Sequence, residues 1–144
     1  MENLIHLLHM GGYSCVIMNK AEVRTFKRRG VADLYDLLLN DKAYLQGSTV
    51  TDKVIGKAAA ALMILGGVKR IYADVISESA LKILGEAGIR TEFFRKVPFI
   101  KNRDKTGWCP LEAACYGMER SGDIYPIIEN FFHRMRVREM SVAV

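Results

Sequence analysis

Apolar and polar residues alternate with two different periods along this chain. Leu4, Ile5, Leu7 and Leu8 have helical spacing and stop at Gly11-Gly12, which predicts a short opening helix. Ser14 to Met18 and Glu22 to Lys27 are β-prone runs around Asn19-Lys20, the pattern of an antiparallel hairpin. After Gly30, the stripe Val31, Leu34, Leu37 and Leu38 predicts a helix ending at Asn40-Asp41, followed by a loop or short extended piece from Tyr44 to Val50. Thr51 and Asp52 are good N-cap residues, so a helix is expected to start there. It would run through Val54, Ile55, the alanines Ala58 to Ala61, Leu62 and Leu65, and stop at Gly66-Gly67. That segment is apolar nearly all round, which places it centrally.

Lys69 to Val75, Glu78 to Ala87 and Arg90 to Arg95 read as strand, helix and strand, with Gly88 as the helix C-cap; such a β-α-β unit makes its strands parallel. Val97 to Ile100 is β-prone but contains Pro98, which suits an edge strand. A polar loop from Lys101 to Trp108 leads into Cys109-Pro110. Proline at a first helical position and Glu112 as a capping carboxylate predict a helix from Pro110 to Met118. Gly122-Asp123 interrupts it. A last amphipathic helix is expected over 124–140, with Ile127, Ile128, Phe131, Phe132 and Met135 on its apolar side. The fold class is α/β, a three-layer α/β/α sandwich around a mixed sheet of about five strands, in one domain over 1–144.

Composition narrows the function classes. A chain of 144 residues suffices for one hydrophobic core, and an apolar share of 50% with 26% charged residues and 3 prolines excludes disordered and fibrous classes. The longest apolar run, Ala58 to Gly67, is too short to span a bilayer, and the first residues lack the pattern of a secretory leader, so a cytoplasmic protein is expected. An odd count of 3 cysteines without CxxC spacing argues against a disulfide framework and a structural zinc site. The net charge of +5 is modest and concentrates where Arg134, Arg136 and Arg138 cluster, so nucleic-acid binding ranks last.

The element order resembles the cytidine deaminase-like fold with one helix inserted after the hairpin. That resemblance implies a zinc ligand and a general-acid Glu at the start of one helix and Pro-Cys-x-x-Cys at the next. The corresponding segments here read Thr51-Asp52-Lys53-Val54-Ile55-Gly56-Lys57 and Ile76-Ser77-Glu78-Ser79-Ala80, with no H-x-E, C-x-E or cysteine. Zinc-dependent deamination is therefore excluded by donor chemistry, and no cofactor is expected. The segments D-K-V-I-G-K-A-A-A, V-I-S-x-x-A-L, I-x-N-R-D and C-P-x-E resemble an uncharacterised bacterial family of zinc-less deaminase-like domains of unknown function, over roughly residues 14 to 118.

Several residues carry chemistry on their own account. Lys53 and Lys57 stand four apart at a helix start, where the backbone disfavours cations and binds anions; either an anionic ligand relieves this or both ammonium groups reach water or Asp52. Cys109 at a helix N-terminus is either an activated nucleophile or a plain N-cap, with Glu112 or Asp52 as proton carrier in the first case. Asn102 and Arg103 either grip a carboxylate, phosphate or base edge, or serve turn chemistry and surface charge. Ser77 either caps its helix or faces the pocket between helix starts. Trp108 either stacks on a base or packs as a staple. His6, His9 and His133 share no ligand spacing.

Two functions compete. One is a domain that binds a small anionic or nucleotide-like ligand where helix starts converge, with Cys109 and Glu112 as catalytic residues if it is a metal-independent enzyme. The other is a non-catalytic interaction or sensor module, a homodimer through the terminal helix being one form of it.

Overall fold

The computed structural model describes residues 1–28, 31–102 and 104–142, with side chains as far as 135. Among the described residues the elements are α1 (Glu2–Met10), β1 (Cys15–Asn19), β2 (Glu22–Phe26), α2 (Ala32–Asn40), α3 (Lys42–Leu45), β3 (Thr49–Ile55), α4 (Lys57–Gly66), β4 (Arg70–Ser77), α5 (Glu78–Glu86), β5 (Arg90–Val97), α6 (Pro110–Cys115) and α7 (Ser121–Val142). The architecture is α/β, with one open sheet in the order β2-β1-β3-β4-β5. β1 runs antiparallel to both β2 and β3, while β3, β4 and β5 are mutually parallel, so the sheet is mixed.

Alternation along β1 assigns the two faces. Cys15 and Ile17 belong to the large core with α2, α4, α5 and α7, whereas Val16 joins a separate cluster with Leu4 and Leu8 of α1. Helix α1 thus covers one face and the remaining helices the other. α4 is the central helix, since Ala58 to Met63 are all buried and Gly67 ends it in the left-handed conformation, φ 76°. Gly88 does the same after α5, with φ 73°.

Four expectations are corrected. Thr51 and Asp52 do not cap a helix; they lie within β3, and the helix begins only at Lys57, with Gly56 as its extended N-cap. The run T-V-T-D-K-V-I is rich in β-branched residues and is paired on both sides, which outweighs the helical spacing it shares with the alanines that follow. Val97 closes β5, and 98–99 form a bend instead of an edge strand, consistent with the fixed φ and missing donor of Pro98. α6 is shorter than expected, ending at Cys115, and the loop expected before Val50 contains α3 and the start of β3.

One irregularity runs across the sheet. In β4 the apolar positions buried in the large core are Ile71, Ala73 and Ile76, so the inward step changes from two residues to three. β3 does likewise from Val50 through Asp52 to Ile55, and the β3–β4 register skips the Lys53 and Asp74 level. The pairing offset is the same on either side of this level, so the strands change face together and stay in register. The change keeps both Asp52 and Ile55 on the side of the helical layer.

Candidate functional site

Three helix starts meet beyond the carboxyl ends of β3 and β4. Gly56 turns the chain from β3 into α4, and Ser77 caps α5 by accepting a hydrogen bond from the Ala80 N–H at 3.2 Å. Cys109, in extended conformation, precedes Pro110 at the first position of α6. The carboxylate of Glu112, one turn into α6, does not reach back to its own helix. It accepts the Lys57 N–H at 2.9 Å and the Ser79 hydroxyl at 3.1 Å, so it ties α4 and α5 to α6. Unpaired amides at a helix start attract an anion, and here the chain supplies its own.

This junction is tight and dry. Glu112 and Lys57 are 3% and 4% exposed, and a Cβ placed on Gly56 would lie 2.2 Å from Glu112 Oε2. Lys57 curls over the junction and donates from Nζ to the Tyr116 carbonyl at 2.8 Å. Burial lowers its ammonium below the ordinary lysine range, opposed by the charges of Glu119 and Glu112. Cys115 lies beneath, fully buried, and burial with the Glu112 charge pushes its thiol up to about 11. Beside the junction opens a cleft of about 360 Å³ lined by Lys57, Glu78, Ser79, Lys82, Tyr116 and Glu119, with Lys82 3.5 Å from the Glu119 carboxylate.

A second buried acid sits midway along β3. Asp52 faces its β1 neighbour Cys15 and accepts the Val54 N–H at 3.2 Å. Desolvation pushes its carboxyl up to about 8, partly offset by hydrogen bonds from the Val54 and Lys53 amides and the Cys15 thiol. The Cys15 thiol is raised in turn, by burial first and then by Asp52.

Of the residues singled out from the sequence, Lys57, Ser77 and Glu112 come together at the junction, and Cys109 stands at its edge without lining the cleft. Asp52 and Lys53 are strand residues outside that cleft. Asn102 is used locally: its side chain accepts the Thr106 N–H at 3.0 Å and donates to the Thr106 hydroxyl. Arg103 lies outside the described residues, as do the side chains of Arg136 and Arg138. Trp108 stacks on Phe99 with centroids 4.4 Å apart and meets Tyr116 edge-on at 4.8 Å, so it packs as a staple. Among the described residues no three His, Cys, Asp or Glu side chains are grouped to hold a metal ion, and no helix is long and apolar enough to cross a membrane.

The model of the DUF1893 family, a domain of unknown function, matches residues 3–132. The chain belongs to the DUF1893 family. The crystal structure of a DUF1893 family protein (TM1506) from Thermotoga maritima resembles it with a TM-score of 0.81 and 28% sequence identity, over 90% of each chain. No curated protein matches.

For this DUF1893 chain, the sequence reading missed Gly56, Ser79, Lys82 and Tyr116. Ser79 had a signal, since two serines flank Glu78 where one suffices for a cap. Tyr116 contributes through its carbonyl, which no side-chain pattern reveals.

Proposed function

We propose that this domain binds a small anionic, nucleotide-like ligand in the cleft beside the helix-start junction, on a cytidine deaminase-like scaffold that works without zinc and without a covalent step. The observation that carries this reading is the position of the Lys57 ammonium. It is held by a single carbonyl at the cleft wall, with Lys82 in the same lining beside Glu119, while the Glu112 carboxylate is engaged by an amide and a hydroxyl. An ammonium already stripped of water binds a phosphate or carboxylate more strongly than a hydrated one. The deaminase-like label is supported by the sheet order and the parallel β3-β4-β5 unit, with helices starting at the ends of β3 and β4. Zinc does not fit: the space between the helix starts is filled by Glu112, against which even a Cβ on Gly56 would clash.

A second reading, a metal-independent enzyme using Cys109 with Glu112, draws on the Cys109 position at the start of α6. It is the weaker one, because both Glu112 oxygens already accept hydrogen bonds and Cys109 is not part of the cleft lining.

The test is a thermal-shift and calorimetric titration of the whole chain with nucleoside monophosphates and sugar phosphates. A stabilisation that weakens with added salt and falls at least tenfold in affinity in Lys82→Glu and Lys57→Met is expected. Absence of binding by every phosphate tried would sink the ligand reading and leave a non-catalytic interaction or sensor module.

A further inference from the structure

Tyr116 does two things at the cleft wall. Its carbonyl accepts the Lys57 ammonium at 2.8 Å, and it is the one aromatic residue among the described residues of the lining. At 56% exposure the uncovered part is mostly ring, since a backbone unit is too small to supply that area. Exposed side chains usually change rotamer freely, but this one is braced. Trp108 meets it edge-on at 4.8 Å and is itself stacked on Phe99 at 4.4 Å, while the Tyr116 N–H donates to the Ala113 carbonyl at 3.3 Å. An aromatic ring that is held in place yet still wet loses little freedom when a flat partner covers it.

The rest of the lining divides in two. Lys57, Ser79 and Lys82 present donors, with the Glu78 and Glu119 carboxylates among them, whereas Ile83 and Pro98 bring only apolar side chains. Lys82 is loosely held, 3.5 Å from an exposed Glu119 carboxylate, so an incoming anion competes with a weak ion pair. A sugar phosphate would meet the donors and leave the ring in water. A flat ring joined to a phosphate meets both.

We infer that Tyr116 is the base-binding residue of this cleft: the base of a nucleoside monophosphate stacks on its ring while the phosphate takes the Lys57 ammonium and Lys82. This rests on the reading of the cleft as an anion site and adds the part of the ligand that is not an anion. Because Lys57 is hydrogen-bonded to the carbonyl of Tyr116 itself, cation and ring are separated by one hydrogen bond and the few bonds from a carbonyl to its side chain. A ribose sets a comparable separation between base and phosphate. Every base has a π-face, so stacking selects a nucleotide over a sugar phosphate without choosing among bases. A nucleic-acid strand needs successive rings along a basic groove, and Tyr116 stands alone in this lining.

Calorimetric titration of the whole chain with adenosine, cytidine, guanosine and uridine monophosphates and with ribose 5-phosphate tests this, with the emission of Trp108, the single tryptophan, as a second readout. The tightest monophosphate should bind about tenfold or more tightly than ribose 5-phosphate, and it alone should change Trp108 emission. Tyr116→Ala should weaken that monophosphate about tenfold and ribose 5-phosphate less than about twofold. Tyr116→Phe keeps ring and carbonyl and should stay within about threefold of the parent. Equal affinity of the parent for monophosphates and ribose 5-phosphate overturns the inference and leaves the anion site standing. A Tyr116→Ala variant that weakens every ligand alike also overturns it, since that marks a displaced Lys57. Tighter binding of a single-stranded oligonucleotide than of any monophosphate does the same, in favour of a nucleic-acid partner. If neither ribose 5-phosphate nor any monophosphate binds, the anion site itself is refuted and the stacking residue with it.

Discussion

Among the described residues two carboxyl groups are buried, and they are accommodated in opposite ways. Glu112 receives donors from two other helices, the Lys57 amide and the Ser79 hydroxyl, and has the Lys57 ammonium nearby. Asp52 has, among the described residues, only its own strand's amides and a thiol as hydrogen-bond donors, and burial drives it toward the neutral form at about 8. The first acid holds elements together because its charge is solvated by the chain; the second is tolerated because it need not be charged. Burial alone therefore does not say what a buried acid does. The donors that reach it decide.

The largest effect expected from this contrast is at Glu112. Glu112→Ala strands an amide, a hydroxyl and a desolvated ammonium at once, so it should cost roughly 3–5 kcal/mol in urea unfolding. Glu112→Gln keeps an acceptor of the same shape and should cost about 1–2 kcal/mol. Gly56→Ala should act on the same contact from the other side, destabilising by about 1–3 kcal/mol through the clash with Glu112 Oε2. A Glu112→Ala variant as stable as the parent would mean that the junction does not depend on its carboxylate.

Much of this fold was legible in the chain because local signals agreed with tertiary ones. The hairpin, the β4-α5-β5 unit and the stop of α4 at Gly67 all follow from alternation, spacing and glycine. β3 was hidden because Thr51-Asp52 imitates a cap and its apolar residues merge with the alanine run, and only pairing on both sides reveals a strand. At the site, Lys57, Ser77 and Glu112 were found because each sits at a recognisable helix start. Their connection was not, since C-P-L-E reads as a self-capping helix. The Cys109 N–H donates instead to the Ile100 carbonyl, which releases Glu112 to reach α4 and α5.

Asp52 gives the next effect, through pH. Its folded-state pKa of about 8 lies above the ordinary value of 3.8, so the native chain holds a proton that the unfolded chain releases. Its contribution to stability is fully present below about pH 4 and is lost as pH rises through about 8. Cys15 on β1 hydrogen-bonds to it and Asp74 on β4 adds a like charge, while Asp33 on α2 raises the Cys15 thiol. Asp52→Asn should remove this slope, and at pH 8.5 it should be more stable than the parent by about 2 kcal/mol. Unfolding midpoints measured from pH 5 to 9 check it. Parallel profiles for parent and variant would show that Asp52 is ionised in the folded chain, like an acid with donors of its own.

The smallest effect concerns the cysteines that lie near these two acids. Cys15 and Cys115 are buried, with thiols raised by burial and by Asp52 and Glu112 respectively, while Cys109 is half-buried at the start of α6. A thiol-specific reagent should modify Cys109 first and reach the others only on global unfolding, because the thiolate is the reactive form and access is required. Cys109→Ser should abolish the early phase while changing the unfolding free energy by less than about 0.5 kcal/mol. A phosphate ligand in the cleft should not protect Cys109, which is absent from its lining. Protection by such a ligand would place the thiol in the occupied site and restore the reading in which Cys109 acts on what is bound.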